Sequence, residues 1–380
     1  MSAPVDDAVA RVRRRLAEGA DLTSALSSTG DVGAGELLET AERVHAATHG
    51  GGPVQALLDD PAVTDVLVNG GNGVWVDRGQ GMERTPLTLD APAARGLATR
   101  LAAASGRRLD DASPIVDGTL PGGTRLHAVL PPLGAEGALI SLRTHRQTAM
   151  TLEDLVAAGT VPRALEPVVR ALVSSRANVL ISGATGSGKT TLLAALLSLA
   201  GHGERLICIE ESAELRPDHP HVVHLQVRRA NVQQAGEVAL AELVRAAMRM
   251  RPDRLVLGEC RGAEVREVLT ALNTGHDGGW ATVHANTVRE VPARLVALGA
   301  LAGMSEQTTA AQAVAAVDAV IHLRRGGDGT RRMEQIGVLE RTGAELACRE
   351  AVIHREGQVR SGPAWEVLAR RLGLDNRLDP

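Results

Sequence analysis

The sequence predicts an α/β protein with two folded domains, and three observations carry that expectation. From residue 151 to 325, apolar strand-like runs alternate with amphipathic helical ones, the pattern of a mostly parallel sheet. Upstream, residues 54–143 hold the short strand signals "TDVLVNG", "VWVDRG", "RLHAVLP" and "LISLR", with one helix, "AARGLATRLAAASG", between them. A chain of 380 residues with 44% hydrophobic content can bury two cores.

Taken in order, residues 1–50 read as a helical extension that ends at the glycine-rich "THGGGP". Its basic cluster "RVRRRL" fits a solvated helix face, or else a contact with anionic lipid or a partner. Residues 54–143 form the smaller α/β domain, and a polar linker spans 144–152. The larger α/β domain is placed at 153–345. A C-terminal tail, 346–380, has no assigned role, although "RMEQIGVLER" followed by "REAVIHREGQVR" suggests a hairpin.

Composition removes several functions. The chain has no Phe and no Tyr, and its large aromatics are Trp75, Trp280 and Trp365. Base stacking on single strands normally needs aromatics, and a net charge of −4 supplies no global basic field. Cys208, Cys260 and Cys348 form no CxxC pair, which fits a reduced compartment. No apolar run reaches the length of a membrane span. The histidines of "DHPHVVH" (His219, His221, His224) lack a Cys or acidic partner at zinc spacing and read as loop and strand.

Chemistry concentrates in the larger domain. "GATGSGKT", residues 183–190, matches GxxxxGK[ST], with the strand "ANVLIS" before it and the helix "KTTLLAALLSLA" after it. Gly183, Gly186 and Gly188 let the backbone turn its N–H groups onto phosphate oxygens, and the helix N-terminus adds positive potential. Lys189 is placed to reach the β- and γ-phosphates, and Thr190 to hold Mg²⁺. Ala184, Thr185, Ser187 and Thr191 complete the candidate nucleotide-binding set.

Two strands downstream end in acids. "RLICIEE" carries Glu210 and Glu211, with Glu214 close behind, and "DRLVLGE" ends in Gly258-Glu259. At the C-terminal ends of parallel strands, such carboxylates point into the crevice beside the phosphate loop. One can hold Mg²⁺ through water and another can orient the attacking water. Many P-loop helicases and transporters have Asp-Glu where this chain has Gly-Glu. No LSGGQ-like segment is present, which argues against an ABC-type ATPase. Between helical "AEVREVLTALNTG" and "VREVPARLVAL", the strand "WATVHA" places His276, Thr282, His284 and Asn286 beside the second acidic strand.

"GATGSGKTT", "IEESAEL", "LVRAAMRMRPDRLVLGECRG" and "ALNTGHDGGWATVHANT" occur in that order and resemble the secretion and pilus-assembly ATPases of type II and type IV secretion systems. The closest likeness is to the tight-adherence (Flp) pilus and conjugal-transfer branch. "DPAVTDVLVNGGNGVWVDR" and "GTRLHAVLPPLGAEGALISLR" resemble that branch's N-terminal domain, so the likeness covers about residues 54–325. It implies a RecA-like P-loop NTPase C-terminal domain, a PAS-like N-terminal domain and a homohexameric ring. Residue by residue, 183–190 match Walker A, Glu210, Glu211 and Glu214 an acidic box, Gly258 and Glu259 Walker B, and 274–286 a His box. The family usually reads Glu-Asp where this chain has Glu210-Glu211, and Trp280 stands where smaller residues are usual.

The resulting expectation is an ATPase motor, using ATP and Mg²⁺, that powers pilus assembly or protein secretion from the cytoplasmic face of a bacterial inner membrane. Its catalytic residues are Lys189, Glu210, Glu259, His284, Arg125 and Arg143. Thr190, Glu211 and Glu259 are the candidate Mg²⁺ ligands. The two arginines come from the smaller domain, where the resemblance implies that matching residues approach the phosphates. The expected partners are further copies of the chain and a polytopic inner-membrane platform protein, with no nucleic acid and no other stable small-molecule ligand. Two other classes stay open: a hexameric nucleic-acid translocase or DNA-transfer ATPase, and a nucleotide-binding scaffold without turnover.

Overall fold

A computed structural model describes residues 50–375, apart from 80, 145–149, 229–235, 276 and 344, together with Val12 and Arg15. Apart from Val12 and Arg15, the expected helical extension up to residue 49 with its basic cluster, most of the linker and His276 therefore lie outside the described residues. The chain divides into two compact units, 1–147 and 148–380.

In the first unit, six strands form one sheet: β1 (Asp65–Asn69), β2 (Val74–Asp77), β3 (Met82–Arg84), β4 (Ile115–Thr119), β5 (Arg125–Val129) and β6 (Leu139–Arg143). Their order is β3-β2-β1-β6-β5-β4, with every pairing antiparallel. Alternate residues are buried, among them Val66, Val68, Val74, Val76, Leu126, Ala128, Ile140 and Leu142. Successive strand side chains point to opposite faces, so this alternation covers one face only. The helix Ala91–Ala104 adds Ala94, Leu97, Ala98 and Leu101 to the same core. Asp90 starts it by accepting the Ala93 N–H at 2.8 Å.

The second unit holds nine strands: β7 (Val179–Gly183), β8 (Leu206–Glu210), β9 (Val222–Gln226), β10 (Arg254–Cys260), β11 (Trp280–Val283), β12 (Ala319–Arg325), β13 (Arg331–Thr342), β14 (Glu345–Arg355) and β15 (Gln358–Ser361). The order is β15-β14-β13-β12-β7-β11-β10-β8-β9. From β12 to β9 the neighbours run parallel, and from β12 to β15 antiparallel. Helices cover both faces. Val179 and Ile181 join a core with the helices Glu166–Ser174, Lys189–Leu197 and Trp365–Leu372. Leu180 joins the opposite core, with Leu240–Ala247, Val265–Asn273 and Val291–Leu301. Burial on both faces is why these strands read as continuous apolar runs.

Trp280 is fully buried in the first of these cores. The chain beyond residue 345, set apart as a tail by sequence, is built into the same sheet. β14 pairs with β13 along its length, and Trp365, Leu368 and Ala369 are buried in the core. The hairpin signal is thus real, and it continues the large sheet. Among the described residues no helix is long and apolar enough to cross a membrane.

Candidate nucleotide site

The phosphate-loop motif falls where strand β7, buried throughout, emerges at the C-terminal edge of the parallel strands. Gly183 is crowded: a Cβ there would sit 2.4 Å from the Leu323 carbonyl oxygen and 2.5 Å from Ser187 Oγ. Gly186 and Gly188 hold φ of 74° and 94°, the left-handed region that other residues avoid. The helix begins at Lys189, with Thr190 and Thr191 in its first turn. Ala184, Thr185 and Gly186 are exposed, while Ser187 is fully buried. Lys189 is buried and donates to the carbonyls of Gly183 at 2.8 Å and Ala184 at 3.0 Å. Burial lowers its pKa, against the pull of Glu259.

Strands β8 and β10 bring the acids to the same edge. Their register sets Ile209 beside Leu257, so Glu210 and Gly258 follow as neighbours. A Cβ on residue 258 would lie 2.7 Å from Glu210 Cγ, so the glycine makes room for this buried carboxyl. Glu210 Oε1 accepts the N–H groups of Glu214 and Leu215, both at 3.0 Å. Burial still outweighs them and pushes its pKa up to about 7.

Glu259 faces a different field. Burial pushes its pKa up, but Arg261 first, with His284 and Lys189, together offset this and hold it below the usual value. Arg261 Nη2 donates to Glu259 Oε2 at 2.6 Å, and Nη1 reaches Glu211 Oε2 at 3.3 Å. One fork thus joins a carboxylate of β10 to one just past the end of β8. His284 Nε2 lies 3.2 Å from Glu259 Oε1, without the alignment of a hydrogen bond. Burial and the Lys189 charge lower the His284 pKa, so the ring is neutral near pH 7.

The rest of the histidine segment divides. Thr282 is buried and donates to the Gly258 carbonyl at 2.6 Å, which ties β11 to β10. Asn286 is exposed and donates its side-chain amide to Glu290 at 2.9 Å. An unforeseen contact sits behind it. Buried His322 places Nδ1 2.9 Å from Ser182 Oγ and hydrogen-bonds the Asn286 backbone. The ring joins the strand entering the phosphate loop to the end of the histidine segment.

Comparison with known proteins decides the family. Residues 47–360 match the model of the type II/IV secretion system protein family. The chain belongs to that family. A Mycobacterium tuberculosis protein named for conjugal transfer, Rv3659c, is 46% identical over 339 residues, 87% of this chain and 93% of that one. The conjugal transfer protein TrbB of Rhizobium radiobacter is 34% identical over 286 residues, 74% of this chain and 85% of its own. Among solved structures, the pilus retraction motor PilT with bound ADP aligns with a TM-score of 0.53 at 19% identity, over 84% of this chain and 85% of that one. This last likeness is one of fold alone.

Family membership makes the chain a secretion-system ATPase that hydrolyses ATP. In this ATPase, the second unit brings together Lys189, Glu210, Glu211, Glu259 and His284 around the loop 183–190. Arg125 and Arg143 belong to the other unit, where they stand directly opposite each other on β5 and β6. Arg143 Nε donates to Asp65 at 3.1 Å. Sequence reasoning missed Arg261 and His322. Arg261 follows Glu259 by two positions, and that spacing was the available signal.

Proposed function

We propose that this secretion ATPase binds MgATP at residues 183–191 and hydrolyses it with Glu259 and Glu210, driving pilus assembly or protein secretion. The observation that carries the proposal is the convergence of a phosphate loop with one buried and one partly buried carboxylate of opposite electrostatic character. Glu259 is held ionised by Arg261, and Glu210 is raised to about 7 by burial. An ionised group beside a group near neutrality separates a charge-holding role from a proton-accepting role.

Mg²⁺ fits the residues present. Glu210 Oε2 and Glu259 Oε1 are buried and lack a hydrogen-bond partner among the described residues. Carboxylate and hydroxyl oxygens are the donors this cation prefers, usually through its waters. Thr190 and Glu259 would hold it. Glu211, the third expected ligand, is exposed and engaged by Arg261. Bound Mg²⁺ supplies charge neutralisation on the phosphate oxygens. Lys189 releases the loop carbonyls and takes the phosphates, Glu210 accepts a proton from the attacking water, and neutral His284 registers the state of Glu259.

The PAS-like assignment of residues 54–143 belongs to this proposal, as does a homohexameric ring. So do a cytoplasmic position at the inner membrane and a polytopic platform protein as partner. Arg125 and Arg143 would supply planar forks to the nucleotide phosphates from the first unit, and their side-by-side register supports a paired clamp. The experiment is affinity purification of the full chain from membranes, with ATP turnover measured on the captured complex. A polytopic inner-membrane protein that raises turnover is the expected result. Raised turnover with nucleic acid instead would favour a translocase.

A further inference from the structure

We propose that Arg325 and Arg331, on the β12–β13 hairpin, form a second phosphate-binding element beside the loop 183–190. Their ligand is the phosphate chain of a nucleoside di- or triphosphate, so the proposal rests on the nucleotide reading above.

Strand β12 runs parallel to β7, with Leu323 opposite Gly183. The next residues therefore leave the sheet alongside the phosphate loop. The hairpin "RRGGDGTRR" carries arginines at both ends, with Arg325 opposite Arg331 and Arg324 opposite Arg332. The pleat sends these two cross-strand pairs to opposite faces. The outer pair meets carboxylates: Arg324 lies 3.5 Å from Glu334, and Arg332 lies 3.8 Å from Asp328.

The inner pair meets the phosphate loop. Arg331 Nε donates to the Gly186 carbonyl at 3.1 Å. A Cβ on Gly188 would sit 3.0 Å from Arg331 Cδ, and one on Gly186 would sit 3.5 Å from Arg325 Nη1. Among the described residues no carboxylate pairs with Arg325. An anion seated between the two guanidinium groups would accept hydrogen bonds from both. The turn beneath them is fixed: Gly326 donates to the Thr330 carbonyl at 2.7 Å, and Asp328 accepts from Thr330 N at 3.0 Å and Oγ1 at 2.6 Å. Lys189 and Arg331 thus cap different carbonyls of one loop, and a phosphate chain offers both a stronger acceptor.

Titration of the full-length chain with fluorescently labelled ADP tests this. Arg325→Ala and Arg331→Ala are expected to weaken binding about tenfold each, with partial recovery in Arg331→Lys. Arg324→Ala and Arg332→Ala, on the outer face, are expected to bind as wild type. Lys189→Ala reports separately on the nucleotide reading, which fails if that variant binds ADP normally. Normal ADP binding by both inner variants, beside a weakened Lys189→Ala, overturns the hairpin proposal alone. Equal losses from inner and outer variants also overturn it, because they would show only that the hairpin must fold.

Discussion

Glu210 and Gly258 interlock across adjacent strands: a side chain at 258 would place its Cβ 2.7 Å from Glu210 Cγ. The glycine that looked like a missing aspartate is the space in which the buried glutamate lies. Gly258→Ala should therefore destabilise the chain by about 1–3 kcal/mol through overpacking and lower kcat by displacing Glu210. Urea unfolding and steady-state turnover measure the two effects. A variant as stable and active as wild type would show that the contact has no consequence.

The raised pKa of Glu210 sets a pH dependence. A proton acceptor works when ionised, so kcat/KM of the wild type should rise with pH with a midpoint near 7. Activity that stays flat from about pH 6 to 8 would remove Glu210 from that role.

Arg261 opposes the effect of burial on Glu259. Without its guanidinium, burial dominates and the Glu259 pKa moves up. In Arg261→Ala the Glu259 carboxyl, followed by NMR titration, should take up its proton at higher pH than in wild type. An unchanged Glu259 titration would reduce Arg261 to a surface ion pair.

His322 makes a stability prediction. Burial lowers its pKa below the ordinary histidine value, so the unfolded chain binds a proton that the folded chain refuses. Stability from this group is present above about pH 6.5 and falls as pH drops below it. Thermal unfolding at pH 7 and pH 5 should show a smaller difference in His322→Gln than in wild type. Equal differences would contradict the assignment.

The legible parts of the molecule were those encoded locally. Strand β7 and the phosphate loop lie in one unbroken stretch, and burial on both faces left β7, β8 and β10 as apolar runs. Strand β3 gave no signal because Met82, Glu83 and Arg84 are all exposed at the sheet edge. The meaning of Gly258 required the β8–β10 register, and the bond from Arg261 to Glu211 spans 50 positions. The pairing of Arg125 with Arg143 likewise depends on the β5–β6 register. Residues 346–372 looked like a tail because antiparallel strands added to a parallel sheet resemble any hairpin in sequence.

Phosphate release from ATP by the purified full-length chain, compared among wild type, Lys189→Ala and Glu259→Gln, tests the central claim most directly. The account predicts turnover in wild type and its loss in Lys189→Ala. In Glu259→Gln it predicts retained ATP binding with turnover reduced by roughly 10²–10⁴-fold. Wild-type turnover in Glu259→Gln, measured on protein that binds ATP normally, would contradict it.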